Sequence, residues 1–522
     1  MKAPASASPS TDAVARGAAG DAAARKQIRG SSLLLVGRVL SLGVNFGIQV
    51  LIVRYLTKAD FGAFAYALSL VALGSSIATF GLDRSITRFI PIYDEQGNYS
   101  KLFGTLVLAV GTVASLGLVS VVLVYGLQGV LAGSLISDER AISLLLILVV
   151  LTPIQSLDGL LMGMFAVFSK PRAIFFRKYI LTPGLRLTVV LLLVLANQSV
   201  FFLAGGYVAA AGLGVGIYAV MLYGMLRGEG LLEHFGFGKI HVPAREVFGF
   251  TIPLLTSDLV YMAMNTSDVL LLGHYRGAEE VGALRVIWPV AHVNQLVMTS
   301  FTLLFTPAAA RLFARDDKEG INRLYWQTAI WIAVLSFPLF ALTFSLSEPL
   351  TVTLFGSRYS DSATYLTLLA LGYYFNAALG FNGLTLKVYG RLRYIVSINI
   401  AAAVVNVGLN LVLIPRYGAL GAAIGTCTTL LLHNVFKQAG LLLGTGVTLF
   451  RRRDLAVYAA IVLAAGLLFA VQLIFSPPAY VGFAAAGIAS LFVVGFGRRS
   501  LRAAETFPEL MRFRLARLIV GK

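Results

Sequence analysis

Charged and amide side chains interrupt the long apolar runs of this sequence at only a few positions. A charged group at membrane depth is costly, so it generally faces a cavity or an oppositely charged partner. Arginine suits anion binding there, because its planar guanidinium pairs bidentately with phosphate and stays charged when partly desolvated. The candidates among these side chains for a binding site or an ion pair are Arg38, Asn45, Asp158, Arg186, Asp258, Asn265, Asp268 and Arg285. Their chemistry indicates anion binding or ion pairing inside a membrane.

Two pairs of these residues could neutralise each other. Asp158 and Arg186 lie about ten and about eight residues from the same ends of adjacent predicted helices, so a rise of ~1.5 Å per residue puts them at similar depth. We predict a structural ion pair between them. Asp268 and Arg285 are also level across a predicted hairpin, where mutual neutralisation and ligand contact are equally supported.

The remaining residues are candidates for ligand binding. Arg38 has no acidic residue near it in its own predicted helix. We predict a binding site made of Arg38, Arg285, Asn45, Asn265 and Asp258. Asp258 is also a possible structural partner of Arg38, since an internal repeat places the two at equivalent positions.

The composition identifies the surroundings of these residues. Of 522 residues, 58% are hydrophobic and only 13% are charged, whereas soluble chains carry roughly a quarter charged residues. Apolar runs of about 20 residues or more predict about fourteen membrane-spanning helices. They are predicted at 31–53, 61–81, 103–127, 141–168, 178–196, 200–226, 247–272, 279–307, 325–346, 364–386, 394–414, 418–440, 455–475 and 479–497. We therefore predict an all-α integral membrane protein.

The basic residues predict the orientation of these helices. With the N-terminus in the cytoplasm, about 33 Lys and Arg residues fall on the cytoplasmic side and about six outside, as the positive-inside rule requires. We therefore expect both termini in the cytoplasm and the chain in the inner (plasma) membrane. Topology and anionic lipid then account for the net charge of +18, and no nucleic-acid partner is expected.

An internal repeat divides the predicted helices into two lobes. Residues 55–63 resemble residues 275–283 at an offset of 220, and residues 168–174 resemble 389–395 at an offset of 221. Two separated matches at nearly one offset predict two six-helix lobes related by a pseudo-twofold axis along the membrane normal. The predicted segments are a disordered cytoplasmic tail (1–30), an N-lobe (31–226), a C-lobe (246–445), two additional helices (454–497) and a basic amphipathic cytoplasmic tail (498–522).

The sequence lacks the residue patterns of catalysis and metal binding. It contains no phosphate-binding loop motif, and no predicted aqueous loop carries paired carboxylates or a cluster of metal ligands. The single cysteine, Cys427, lies in an apolar run. We therefore predict neither an enzyme nor a metal site.

Two stretches carry a family resemblance. LIVRYLTKADFGAFAYALSLVALGSSIATFGLDRSITRFIP (51–91) and VVNVGLNLVLIPRYGALGAAIGT (404–426) resemble the polysaccharide-transporter branch of the multidrug/oligosaccharidyl-lipid/polysaccharide exporter superfamily, which includes Wzx-type O-antigen and exopolysaccharide flippases. This resemblance implies a V of two six-helix bundles around a central cavity. Residues 37–40 also resemble the arginine-bearing first helix of lipid II flippases, and Arg285, three residues before Trp288, resembles their cavity arginine on helix eight.

The resemblance implies a function as well. A member of this branch would move a polyprenyl-diphosphate-linked oligosaccharide, an O-antigen or exopolysaccharide repeat unit, across the inner membrane by alternating access. Arg38 and Arg285 would then bind the diphosphate. Membrane lipids and other polysaccharide-assembly proteins are the further partners implied. No cofactor is expected, and a coupling ion, H⁺ or Na⁺, stays open.

Two other functions are alternatives. The first is a cation-coupled multidrug antiporter of the same superfamily, although such antiporters usually have twelve helices and acidic cation sites. The second is a membrane glycopolymer polymerase or ligase. That enzyme would need a large outer loop with catalytic groups, whereas the longest predicted outer loop spans only 347–363.

Overall fold

The computed structural model describes residues 36–132, 138–168, 170–236, 238, 240–448 and 452–501, without the side chains at 253–254, 256–261, 263, 265, 303–304, 452–453 and 499. The described residues form helices and no strands. The predicted tail 1–30 and nearly all of the predicted tail 498–522 lie outside them.

Eighteen helices make up most of the described chain. They are α1 (Val36–Tyr55), α2 (Lys58–Thr79), α3 (Leu82–Glu95), α4 (Tyr99–Gly126), α5 (Glu139–Leu148), α6 (Leu151–Val167), α7 (Pro171–Leu195), α8 (Val200–Gly228), α9 (Ala244–Arg276), α10 (Ala278–His292), α11 (Leu296–Ala314), α12 (Lys318–Ser345), α13 (Ser347–Phe355), α14 (Ser362–Ala378), α15 (Asn382–Val388), α16 (Leu392–Thr445), α17 (Arg452–Phe475) and α18 (Ala479–Leu501). Helix α7 contains a π-helical turn at Phe176–Leu181, and α12 ends in one at Ala341–Ser345.

The helices are those of a membrane protein. Among the described residues, nine helical stretches are long and apolar enough to cross a membrane, and up to eleven if each of two bent helix pairs counts as one span. The chain is therefore an all-α, multi-pass membrane protein. The number of about fourteen spans stays a prediction. One stretch, α16, runs through two predicted spans, 394–414 and 418–440, and its backbone turns sharply at Gly418 (φ 58°, ψ −134°).

The contacts of the chain divide it into two units. Unit 1 comprises Met1–Ile52, Val71–Leu127 and Leu145–Leu255, and unit 2 comprises Val53–Leu70, Gln128–Leu144 and Thr256–Lys522. The predicted lobes at 31–226 and 246–445 stay a prediction.

Unit 1 is held together by apolar side chains of α3, α4, α6 and α8. Leu82, Ile86 and Ile90 lie on one face of α3 and are fully buried, together with Leu102 of α4 and Leu160 of α6. The spacing of four residues along α3 places these side chains one above another on the face that packs. Burial of each such side chain stabilises the fold by about 1.5–3 kcal/mol.

Unit 2 has a larger aromatic core. Trp326 and Phe337 of α12 are fully buried, and Phe340 stacks on Tyr374 of α14 with ring centres 4.0 Å apart. Helices α17 and α18 pack on the cluster that contains Phe337, Phe340 and Tyr374 through residues such as Ile461 and Val493. The two helices predicted as an addition to the lobes are thus part of the core of unit 2.

The two similar segments at 55–63 and 275–283 touch each other within unit 2. Lys58 and Glu279 form an ion pair at 3.6 Å. A Cβ added at Gly62 would lie 1.8 Å from the carbonyl oxygen of Ala278, so α2 and α10 approach at backbone distance there. We call this the repeat contact.

Candidate functional site

Arg285 lies on α10, one helical turn before Trp288. Its guanidinium carbon lies 4.2 Å from the centre of the Trp288 ring, and its Nη2 donates a hydrogen bond to Ser69 Oγ at 3.1 Å. Its buried Nε has no hydrogen-bond partner among the described residues. Arg285 therefore has a charged donor that no described group satisfies.

Asp268 on α9 is the acidic residue that the sequence predicts as a partner of Arg285. It is 3% exposed, and its Oδ1 accepts a hydrogen bond from the backbone N–H of Val269 at 2.8 Å. Asp268 and Arg285 attract each other electrostatically, while the hydrogen bonds of each side chain go to other groups. Ligand contact and neutralisation thus both stay open for this pair.

An aromatic row continues from Arg285 along α10. The His292 ring lies 4.7 Å from Trp288 and 4.1 Å from Tyr373 of α14, measured between ring centres. His292 Nδ1 lies 3.0 Å from the carbonyl oxygen of Trp288. Sequence reasoning named neither Trp288 nor Tyr373 as a site residue. The spacing of three and then four residues was the available signal, because it places 285, 288 and 292 on one helix face.

The other predicted site residues belong to helices α1 and α9. Arg38 is exposed on α1. Asn45 donates from Nδ2 to Ser41, to its carbonyl oxygen at 2.7 Å and its Oγ at 2.9 Å, so this amide is bonded within its own helix. Asp258 and Asn265 belong to α9 at positions whose side chains lie outside the described residues. The grouping of these residues into one binding site stays a prediction.

The ion pair of Asp158 is formed with a different arginine from the one predicted. Asp158 Oδ1 lies 2.9 Å from Nη2 of Arg177, not in hydrogen-bond alignment, whereas Arg186 lies 5.3 Å over the ring of Tyr207. Arg186 only attracts Asp158 at longer range. The predicted Asp158–Arg186 pair is therefore wrong as a direct contact. The reason is that α7 begins at Pro171, before the predicted start at 178.

Arg177 is the residue that sequence reasoning missed. It was assigned to a cytoplasmic loop, but it lies in the π-helical turn of α7 and is 5% exposed. Its Nη1 donates to the hydroxyl of Thr182, which in turn donates to the Arg177 carbonyl oxygen at 2.8 Å. Pro171, six residues before Arg177, was the available signal for an earlier helix start, because proline favours the first turn of a helix.

The chemistry of these side chains suits the binding of anions. The cations Arg285 and Arg177 each keep a hydrogen-bond donor without a partner among the described residues. In the described part of the chain, no group of three or more His, Cys, Asp or Glu residues could hold a metal ion.

Two family models match the sequence. The model described as polysaccharide biosynthesis protein matches residues 28–313, and the model described as MatE matches residues 253–412. The first match covers more than half of the chain.

Curated proteins and solved structures agree with this family. The probable low-salt glycan biosynthesis flippase Agl15 of Haloferax volcanii is 20% identical over 416 residues, which cover 78% of this chain and 82% of the relative. The succinoglycan biosynthesis transport protein ExoT of Rhizobium meliloti is 26% identical over 337 residues, 63% of each chain. The structure of the lipid II flippase MurJ in an inward closed conformation matches 91% of this chain and 100% of its own, with a TM-score of 0.69 and 16% identity.

The match to the family model shows the family, and the match to the solved structure shows the fold. At 16% identity, the similarity to the solved flippase shows the fold alone. The similarity to the curated relatives supports membrane transport, and it covers most of the chain in one case. The chain belongs to the polysaccharide biosynthesis protein family, within the polysaccharide-transporter branch of the multidrug/oligosaccharidyl-lipid/polysaccharide exporter superfamily.

Proposed function

We propose that the protein is a flippase that moves a polyprenyl-diphosphate-linked oligosaccharide across the inner membrane by alternating access. The observation that carries the proposal is Arg285, a cation on a membrane helix with a buried Nε that bonds to no described residue. A diphosphate carries several negative charges that must pass an apolar layer, and a guanidinium can bind it bidentately. The glycan flippase and succinoglycan transport protein named above support this cargo class.

The surroundings of Arg285 fit a group that must hold and release its ligand. The ring of Trp288 stabilises the guanidinium from one side at 4.2 Å, and Ser69 accepts only one of its hydrogen bonds. A cation–π contact contributes about 0.5–2 kcal/mol, which positions the arginine without neutralising it. A direct carboxylate partner would instead compete with the phosphate. Arg38, exposed on α1, stays a predicted diphosphate-binding residue on the strength of its sequence context.

A transport assay with a defined lipid tests the proposal. The purified protein is reconstituted in vesicles that carry a polyprenyl diphosphate with a short labelled glycan. The fraction of glycan exposed to a non-penetrating glycosidase is then measured over time. We expect the protected pool to become accessible much faster than in protein-free vesicles. Equal rates with and without protein would refute the proposal.

The alternative is the cation-coupled multidrug antiporter. The MatE match over 253–412 supports this alternative. The same vesicles, loaded with a cationic dye and given a proton or sodium gradient, separate the two. Gradient-driven dye export without glycolipid movement would favour the antiporter. In cells, loss of the protein should accumulate lipid-linked oligosaccharide on the cytoplasmic leaflet if it is a flippase.

A further inference from the structure

A small cavity with charged groups in an otherwise largely apolar wall lies in unit 1. It has a volume of about 50 Å³ and is lined by α6, α7 and α8, with Asp158, Arg177, Thr182, Arg186 and Tyr207 among its walls. A cavity needs only about 10–15 Å³ to hold one water. This one therefore has room for a few waters or for one small ion.

The charges around this cavity do not balance. Asp158 is the only acidic residue in the sequences of α6, α7 and α8, whereas α7 alone carries Arg172, Arg177, Lys178 and Arg186. Asp158 forms its ion pair with Arg177, and both Arg186 and Lys178 attract it from farther away. Because Arg177 already engages the carboxylate, the Arg186 guanidinium at the cavity wall has no counter-charge of its own on these helices.

A buried hydrogen-bond donor of one wall residue, Arg177, has no acceptor in the part of the chain that the structure describes. The Nε of Arg177, a residue that is 5% exposed, donates to no group among the described residues. Asp158 Oδ1, 2.9 Å from Nη2 of Arg177, also has no hydrogen-bond partner among them. A buried donor without an acceptor costs about 1–3 kcal/mol, and more when it is charged. The Arg177 Nε therefore needs an acceptor, and the excess of positive charge on these helices favours an acceptor that is an anion.

We propose that this cavity binds one small inorganic anion of the halide class, held by Arg177 and Arg186. The volume decides the class, because pockets for drug-sized ligands measure about 300–1,000 Å³ and a glycosylated diphosphate is at least that large. The π-helical turn at Phe176–Leu181 carries Arg177, and such turns are frequent at functional sites. The anion neutralises the charge of Arg186 and stabilises the packing of α7 against α6 and α8. The inference goes beyond the proposed transport function and does not depend on it.

Halide-dependent stability tests the proposal. The melting temperature of the purified full chain is measured while chloride replaces gluconate at constant sodium and ionic strength, so that charge screening is unchanged. We expect a saturable rise in Tm with chloride or bromide. Arg186→Gln should raise the half-saturating chloride concentration at least tenfold. The matched control is Arg227→Gln, which removes an exposed arginine of α8 outside the cavity and should leave the chloride response unchanged.

Equilibrium binding of labelled chloride supplies a readout that does not depend on stability. We expect about one saturable site in the native chain and in Arg227→Gln, and none in Arg186→Gln at the same concentration. The absence of saturable binding would mean that the cavity holds water only. An unchanged chloride response in Arg186→Gln, or displacement of chloride by vesicles of anionic lipid, would also overturn the proposal.

Discussion

Gly62 and Gly282 lie back to back, at positions related by the 220-residue offset of the sequence repeat. A Cβ added at Gly282 would lie 3.1 Å from the Cα of Gly62 and 2.6 Å from the carbonyl oxygen of Lys58. The two similar segments therefore contact each other at a glycine of each segment, where no side chain separates the two backbones. The close approach of the two backbones is the physical reason why both positions need glycine.

Substitution at the repeat contact should destabilise the protein. In Gly62→Ala the new methyl group would meet the backbone of Ala278, which cannot rotate away. Overpacking of this kind typically costs about 1–3 kcal/mol. We expect a lower Tm in detergent than for Gly408→Ala, a control in α16 where a Cβ meets nothing within 4 Å. Equal melting temperatures for the two variants would contradict the close contact.

The two candidate anion-binding arginines should be needed for transport but not for insertion. Removing a charge-assisted hydrogen bond costs about 1.5–3 kcal/mol, which corresponds to a loss of roughly tenfold to a hundredfold. We expect that loss for Arg285→Ala and Arg38→Ala in the vesicle assay. Lysine should restore only part of it, because it keeps the charge and loses the fork. Full activity of both alanine variants at normal protein levels would rule out their role.

The partner of Asp158 can be identified by its effect on stability. Asp158→Asn leaves Arg177 buried without its counter-charge, and breaking a buried pair costs about 3–5 kcal/mol, less here because Asp158 is 34% exposed. Arg186→Gln, measured without chloride, leaves this pair intact and should lower Tm less. The double variant Asp158→Asn with Arg177→Gln should recover part of the loss. If Arg186→Gln lowered Tm more than Asp158→Asn does, Arg186 would be the main partner of Asp158, as the sequence predicts.

Acid should weaken unit 1 through Glu246. Lys101 Nζ donates to Glu246 Oε1 at 2.7 Å and the Tyr93 hydroxyl donates to Oε2 at 2.6 Å, and these two hydrogen bonds lower the pKa of the Glu246 carboxyl. A lowered pKa in the folded state stabilises the fold above the ordinary carboxyl value of about 4.3 and loses that effect as the pH falls through the folded pKa. Tm should therefore fall less steeply below this pH in Glu246→Gln than in the native chain. Glu233→Gln, at an exposed position of unit 1, is the control and should leave the slope unchanged.

The predicted orientation can be tested by labelling single cysteines after replacement of Cys427. The distribution of basic residues predicts that 197–199 and 476–478 face outward and that 311–323 and 387–393 face the cytoplasm. A cysteine at position 318 should react with a membrane-impermeant reagent only after permeabilisation. Reaction in intact cells would overturn the whole predicted orientation.

The class of the protein follows from its sequence, because the hydrophobicity of a segment depends only on the residues of that segment. Long apolar runs identify a helical membrane protein without knowledge of any contact. The cost of charge in an apolar run likewise singled out Arg285 and Asp158 as residues that need a partner or a ligand. The similar segments around Gly62 and Gly282 were also visible as a repeat.

Which groups meet was decided only by the tertiary structure. Position along a run predicts depth, but the choice between Arg177 and Arg186 for Asp158 depends on where α7 begins and on how its π-helical turn rotates each side chain. Likewise, the packing of Trp288 and Tyr373 on either side of His292 depends on the approach of α10 to α14. Such contacts join residues far apart in the chain, so local sequence determines the elements, and only their packing determines the partners.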